Sequence, residues 1–569
     1  MNSRTIFYSS VGIIVLLMLG LSSFKRDASF TIQKSKPERP NIVVILADDM
    51  GFSDAGCYGG EINTPNIDYL ANNGIRYRQF YNTSRCCPTR ASLLTGLYNQ
   101  QAGIGKMTDA ENELGYLGHL AENTVTIAEV LKAAGYHTAM SGKWHVSNTL
   151  VQKNPKDQLD WLNHQKDFGD FSPLEQYPTS RGFDKFFGTI WGVVDFFDPF
   201  SLVSGKTPVK SVPKDYYHTD AISDTAVAYI NSWAKTEKPF FLYVAQNAPH
   251  WPLQAKPEDI AKYKDTYKLG WDVIREARYR KMIKLGLIDS NITKLSKPVT
   301  DRVSWNDNPD KIWDAEAMAV HAAMIDRMDQ GIGRIIGALK KTGKLDNTLI
   351  IFLSDNGASP ENAAAYGPGF DRPSETRAGT PIIYATKKQV LPGAQTTYSS
   401  IGRIWANVSN TPYQYAKAES FEGGIHTPMI AYWPKGIKQR GKYSNQIGHV
   451  MDFMKTFVEL AKTTYPIHYN GKKIKPTPGV SLTPSFNGKE NSGHSTLFNE
   501  HFGARYARSG NWKLVSLSND PTWHLYNLAM DNAETNDLAA SNPDKVKELE
   551  TLWKQWAMAN QVFPKPGNK

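Results

Sequence analysis

Two acidic pairs and one unusual cysteine are the residues of this chain most able to do chemistry. Asp48 and Asp49 follow the apolar run NIVVILA, and Asp355 and Asn356 follow TLIIFLS. Three carboxylates and one amide offer only oxygen donors, and such a set selects a hard divalent cation, Ca2+ or Mg2+, over zinc. Each acid alone would as readily cap a helix or sit in a turn. Two pairs at the ends of two apolar runs favour the metal, because three carboxylates gathered without a cation would repel one another. The chain has three cysteines, Cys57, Cys86 and Cys87. The odd count leaves at least one thiol free or modified, and the neighbours Cys86 and Cys87 could pair with each other only under strain. Cys86 opens the stretch CCPTRASLLTG. Pro88 suits the first turn of a helix, the following residues continue it, and Gly96 can end it. Cys86 then lies just before a helix N-terminus, a place that favours anions. A buried small hydrophobe, a thiol nucleophile and a modified residue are the three readings of it.

The elements that must position these groups follow one grammar. NIVVILA, HTAMSG, PFFLYVA and TLIIFLS are short runs rich in β-branched and aromatic residues, and each reads as a buried strand. They are followed by Asp48 and Asp49, by Lys143 and His145, by His250, and by Asp355 and Asn356. Helical patterns lie between them, in TIAEVLKAAG, SDTAVAYINSWAK and AMAVHAAMIDRMDQGIGRIIGALKKTG. Strands alternating with helices imply an α/β fold, a large mostly parallel sheet sandwiched by helices. Such sheets bind ligands beyond the carboxyl ends of their strands. Four strand ends here deliver acids, an amide, a lysine and histidines to that edge. Residues 151–220 and 251–315 read as long loops and short helices over the site. Five aromatics in them, Trp191, Phe196, Phe197, Trp251 and Trp271, are expected to pack, with a sugar or aryl pocket as the other use.

The domain plan is a leader over 1–26, a catalytic domain over 38–462 and a smaller C-terminal α+β domain over 463–569. The smaller domain carries an antiparallel sheet, with strands in ARYARSGNWKLVSLS and TWHLYNLAMD and a closing amphipathic helix in NPDKVKELETLWKQWAMAN. The leader places Arg4 before an uncharged run from Thr5 to Phe24, which reads as an export signal, with an uncleaved membrane anchor as the alternative. The expected location is therefore periplasmic or secreted. Lys and Arg outnumber Asp and Glu by 65 to 55, and a basic excess suits an anionic partner. No zinc-finger spacing, basic helix or RNP-like strand accompanies it, so nucleic acid is not the expected partner.

The chain resembles the type I sulfatases, the formylglycine-dependent members of the alkaline phosphatase superfamily. The resemblance rests on PNIVVILADDMGFSDAGCYGG, CCPTRASLLTG, SGKWH, RGFDKFFG, PFFLYVAQNAPHWP, LIIFLSDNGAS and SNTPYQYAKAESFEGGIHTP. It implies that Cys86, first in C-x-P-x-R, is oxidised in the cell to formylglycine by a generating enzyme that is a transient partner. It implies one Ca2+, with Mg2+ as the alternative, held by Asp48, Asp49, Asp355, Asn356 and the modified Cys86. It further implies that Arg90 orients the hydrated aldehyde and the metal-side acids. Lys143 and His145 would hold the sulfate and the diol, His250 would help protonate the leaving oxygen, and Lys417 would be a second sulfate-binding lysine. The implied substrate is an aryl sulfate or a sulfated saccharide, and no stable protein partner is implied. A phosphoesterase of the same superfamily and a non-catalytic glycan-binding protein are the competing readings. A two-zinc phosphatase needs a second Asp and His cluster, whereas here Lys143, His145 and Lys417 stand in that place.

Overall fold

β-branched and aromatic residues bury both faces of the central strands. In the computed structural model, which describes residues 39–562 except 112, 300–301 and 385–389, they build one ten-stranded sheet. Its strands are β1 (Asn41–Ala47), β2 (Ile75–Tyr77), β3 (His137–Gly142), β4 (Lys185–Thr189), β5 (Leu202–Ser204), β6 (Thr207–Pro208), β7 (Phe240–Ala245), β8 (Thr348–Ser354), β9 (Met429–Tyr432) and β10 (Lys442–Ser444). The spatial order is β10–β2–β9–β8–β1–β7–β3–β4–β5–β6. Five neighbours, β8, β1, β7, β3 and β4, run parallel. On one side β9 is antiparallel to both β8 and β2, and on the other β5 and β6 close the sheet as antiparallel edges. The expected mostly parallel sheet is thus a mixed sheet with a parallel centre. Strands β4 to β6 fall in the stretch expected to be loops; they are too short and too broken by glycine and aspartate for a clear period-2 pattern.

Alternation sends Val43 and Ile45 of β1 to one core, and Ile42, Val44 and Leu46 to the other. Helices α3 (His218–Ser232) and α4 (Lys311–Lys341) cover the first face, while α1 (Cys86–Thr95), α2 (Ile127–Ala133) and α5 (Asp452–Leu460) cover the second. Helix α2 starts at a capping box in which Thr126 and Glu129 bond each other's backbone N–H. Both faces of the central strands are therefore mainly apolar, and the charged groups that follow those strands gather where the strands end.

Register decides what gathers there. Ala47 lies opposite Ser354, Leu46 opposite Ala245, and Gly142 opposite Ala245. Four strands stop at one level, so Asp48, Lys143, Gln246 and Asp355 leave the sheet side by side.

The tail forms a four-stranded antiparallel meander of β11 (Thr496–His501), β12 (Ala504–Ser509), β13 (Trp512–Ser516) and β14 (His524–Asn527), covered by α6 (Pro543–Ala559). Strand β11 was not among the strands expected. Leu497, Tyr506, Leu514, Leu525, Leu549 and Trp553 form the core beneath it, and Tyr81, Phe421 and Ile425 join that core from the catalytic part of the chain. The described residues from 39 to 562 make one compact unit. Among the described residues no helix is long and apolar enough to cross a membrane; the leader lies outside the described residues.

Gly142 ends β3 at φ +109°, and a Cβ there would sit 1.9 Å from the Ala245 carbonyl oxygen. Gly142→Ala is expected to cost about 2–3 kcal/mol of stability and to lower turnover as Lys143 shifts, as read from urea melts alongside an activity assay.

Candidate active site

Asp48, Asp49, Asp355 and Asn356 are all buried at the sheet end. Asp49 adopts the left-handed conformation, φ +64°, which only a short polar side chain takes at low cost. That turn lets its backbone N–H donate to Asp355 Oδ1 at 3.2 Å. Asn356 Nδ2 donates to Asp49 Oδ1 at 2.6 Å and to the Gly357 carbonyl at 2.9 Å, which aims its Oδ1 the other way. That Oδ1 and Asp48 Oδ1 are buried with no hydrogen-bond partner among the described residues. Two buried oxygens without partners, in a set of three carboxylates and an amide, fit a hard cation. Asp48, Asp49 and His250 also bring ligand atoms within 4.8 Å of one another.

Arg90 lies behind the cluster. Its Nε and Nη2 donate to Asp355 Oδ2 at 3.2 and 2.9 Å, its Nη2 is 3.4 Å from Asp48 Oδ2, and its Nη1 donates to the Lys143 carbonyl. Lys143 Nζ donates to Asp48 Oδ2 at 2.5 Å. Burial pushes the Asp48 carboxyl up, but Lys143 and Arg90 outweigh it and hold it at about 2. Asp355 goes the other way: burial, with Asp48 alongside, pushes it well above the carboxylate range.

Cys86 is the first residue of α1, after the N-cap Arg85, and does not precede the helix as expected; Pro88 falls in the first turn. The turn before it is closed by Thr83 N–H donating to Thr89 Oγ1 at 3.1 Å. The sulfurs of Cys86 and Cys87 and a ring nitrogen of His145 lie within 4.8 Å of one another. All three cysteines are free and buried. The Cys87 thiol beside it, helped by Lys143 and His145, draws the Cys86 thiol well below its usual range, whereas burial pushes Cys87 up. Burial also lowers His145 to about 4, so it is a neutral ring at pH 7, and its Nδ1 has no partner among the described residues.

His250 Nδ1 lies 2.5 Å from the Trp251 carbonyl oxygen, to which it can only donate. Its Nε2 then carries the lone pair and faces Lys417 Nζ at 3.2 Å. Lys417 Nζ also donates to Asp49 Oδ2 at 2.8 Å. The loop bearing Lys417 is bonded to both walls of the site. Lys417 N–H donates to the Ala358 carbonyl, Ala418 N–H to the Ser84 carbonyl, and Ala358 N–H to Asn410 Oδ1. Below it, Glu422 Oε1 accepts from Lys513 Nζ at 2.8 Å, and Lys513 also pairs with Glu534 at 2.7 Å. The C-terminal sheet thereby holds the active-site loop.

These groups floor a cleft of about 220 Å³ lined by Cys86, His145, His250 and Lys417. All ten residues singled out in the sequence meet at one place; Lys143 is fully buried against Asp48 and does not line the cleft. Of the five aromatics, Trp191 and Trp251 line it, while Phe196, Phe197 and Trp271 pack in the core. The reading missed Arg85, Asp109, Glu361, Tyr366, Phe370, Asp371 and Arg372, which also line the walls. Arg85 stands directly before Cys86 and Glu361 six residues after Asp355; nearness to a motif was the only available signal.

Comparison with known proteins agrees with this geometry. The sulfatase family model matches residues 40–463, and the model described as N-sulphoglucosamine sulphohydrolase, C-terminal, matches residues 413–560. An uncharacterised sulfatase of Schizosaccharomyces pombe is 32% identical, over 94% of this chain and 96% of its own. An arylsulfatase of Klebsiella aerogenes is 35% identical, over 79% of this chain and 92% of its own. Among solved structures, Ps i-CgsB in complex with k-i-k-neocarrahexaose shares the fold, with a TM-score of 0.63 at 24% identity and coverage of 92% and 94%. Fold and site thus define a sulfuric ester hydrolase. The chain belongs to the sulfatase family, which uses a metal and formylglycine to cleave sulfate esters.

Arg90→Ala leaves Asp48 and Asp355 facing each other without their shared guanidinium. The expected loss is about 3–5 kcal/mol of unfolding free energy. Divalent cation is expected to restore part of it, measured by denaturant titration with and without the metal.

Proposed function

We propose that this chain removes sulfate from aryl sulfates or sulfated saccharides outside the cytoplasm. Residue 86, as formylglycine, is the nucleophile, and one Ca2+ is held by Asp48, Asp49, Asp355, Asn356 and an oxygen of residue 86. The observation that carries this reading is the buried oxygen cluster with two partnerless atoms beside Cys86, at the floor of a cleft edged by cations. Cys86 Sγ marks where the aldehyde oxygen, and on hydration two hydroxyls, would project. The cation, when bound, supplies positive charge that makes a nearby hydroxyl more acidic.

The chain's own groups divide the remaining work. One hydroxyl of the hydrated residue 86 gives up its proton as its oxygen bonds sulfur, the S–O bond to the alcohol breaks, and the departing oxygen takes up a proton by way of His250. The second hydroxyl then gives up its proton, and C–O cleavage expels sulfate and restores the aldehyde. Neutral His145, beside residue 86, can accept that proton. Arg90 holds the acids in register from behind. Lys417 holds the sulfate, and Lys143 supports it from its place on Asp48. His250, fixed by the Trp251 carbonyl, presents its Nε2 lone pair to Lys417 Nζ; a proton passed to it from Lys417 is weakly held, because burial lowers the ring's affinity for it, and can go on to the leaving oxygen.

Ring-bearing substrates draw support from the cleft walls. Trp251 stacks on Tyr366 at 5.7 Å and 24°, and Trp191 on Phe370 at 6.5 Å and 18°. Tyr366 and Phe370 are 50% and 46% exposed, with Arg372 over the Tyr366 ring at 5.3 Å, so both rings reach the cleft mouth where a substrate ring can meet them. The name of the Klebsiella arylsulfatase supports the aryl arm of the proposal. Export by residues 1–26 and modification by a transient generating enzyme complete the proposal. A division into a catalytic part over 38–462 and an α+β part over 463–569 draws support from the core under the C-terminal sheet, although Tyr81, Phe421 and Ile425 of the first part belong to that core too.

Mass spectrometry of the Cys86 peptide from matured protein is expected to show CH2–SH replaced by CHO, and Cys86→Ala to abolish sulfate release. Chelation is expected to stop turnover, with Ca2+ restoring more than Mg2+; recovery by zinc alone would refute the oxygen-donor reading. Tyr366→Ala is expected to raise KM for an aryl sulfate by about tenfold, the worth of one aromatic contact, while leaving KM for a short alkyl sulfate nearly unchanged.

A further inference from the structure

Asp109, Glu361 and Asp371 are the carboxylates of the cleft wall, and Glu361 is the one bonded to both Arg85 and Lys417. Glu361 Oε1 accepts from Arg85 Nη2 at 3.0 Å. Its Oε2 accepts from Trp251 Nε1 and Ser359 Oγ, both at 2.9 Å, and from Lys417 Nζ at 3.3 Å. The side chain is 12% exposed, and the indole and hydroxyl fix it so that it cannot swing away. Burial pushes its carboxyl up, but Lys417 and Arg85 outweigh burial and hold it well below the ordinary carboxylate range. It is therefore charged, beside the lysine that an incoming anion must also use. A cleft shaped only to grip anions would not carry it.

The difference between substrate and product gives it a use. A sulfate monoester carries one negative charge, and inorganic sulfate carries two. The Coulomb energy of a ligand near a fixed charge scales with the ligand's own charge. A fixed carboxylate therefore penalises the product about twice as much, in free energy, as the substrate. Release of product commonly limits turnover.

We propose that Glu361 is a specificity-determining residue that biases the cleft toward monoanionic sulfate esters and against dianions, inorganic sulfate above all. It does so by competing with the anion for Lys417 and Arg85. The inference rests on the hydrolase reading of this cleft.

Glu361→Gln tests it, because the amide keeps the shape and can still accept from Trp251 while the charge is gone. The two quantities to compare in matured protein are the Kd of inorganic sulfate, from calorimetry, and the KM of an aryl sulfate. The variant is expected to lower the sulfate Kd about tenfold more than it lowers KM, and Glu361→Asp to return the ratio toward that of the unsubstituted chain. Equal changes in Kd and KM would overturn the proposal. So would weaker sulfate binding, which would make Glu361 only a brace for Lys417. Glu361→Ala carries the same expectation if the glutamine variant does not fold. Calorimetry needs no turnover, so failure of the unsubstituted chain to split any ester counts against the proposed function alone, while the calorimetric Kd of the uncleaved aryl sulfate then replaces KM in the comparison and still decides the role of Glu361.

Discussion

Asp48, Asp49 and Asp355 are taken out of water together at the end of one sheet, and the surrounding structure is arranged to answer their charge. Moving a carboxylate into a dry site costs several kcal/mol unless partners are already in place. Arg90, Lys143 and Lys417 supply them, and each comes from a different part of the chain: α1, the end of β3 and the loop before β9. The strand register that stops β1, β3, β7 and β8 at one level is what makes this possible. A slip of one residue in any of them would turn an acid or a lysine into the wrong core.

The same electrostatics sorts the ionisable groups into roles. Asp48 is held charged by its two cations, while burial keeps His145 neutral. Metal-side groups lie behind residue 86, and the cleft-side groups, His250, Lys417, Arg85 and Glu361, lie in front. The cleft is thus a mixed field and not a uniformly positive one, which is how an anion can be both held and released.

The centre of the fold was legible because strongly apolar β-branched runs have few other uses and because each ended in a chemically distinctive residue. The acid pairs, Lys143, His145 and His250 were readable for the same reason, since strand ends place them; Cys86 was readable from its place at a helix start, whereas Arg90 and Lys417 followed from the resemblance to the family's motifs, with no strand end to mark them. The rest depended on contacts far apart in the chain. Glu361 meets Arg85 across more than 270 positions, and no local pattern marks such a pair. Strands β4 to β6 borrow their stability from neighbouring strands, and β11 from its pairing with β12, so their own residues announce little. The tautomer of His250 was beyond sequence altogether, because a single backbone carbonyl sets it.

The bond from Lys513 to Glu422 has a consequence for how the enzyme comes into being. The first residue of the site is Asp48, and the last group that steadies it is Glu534, so the working arrangement closes a loop of nearly the whole polypeptide. Contacts so distant along the chain form late and slowly. A ribosome can therefore finish every strand of the large sheet and still have released nothing able to act, until the final hundred residues emerge and lock the lysine loop from below.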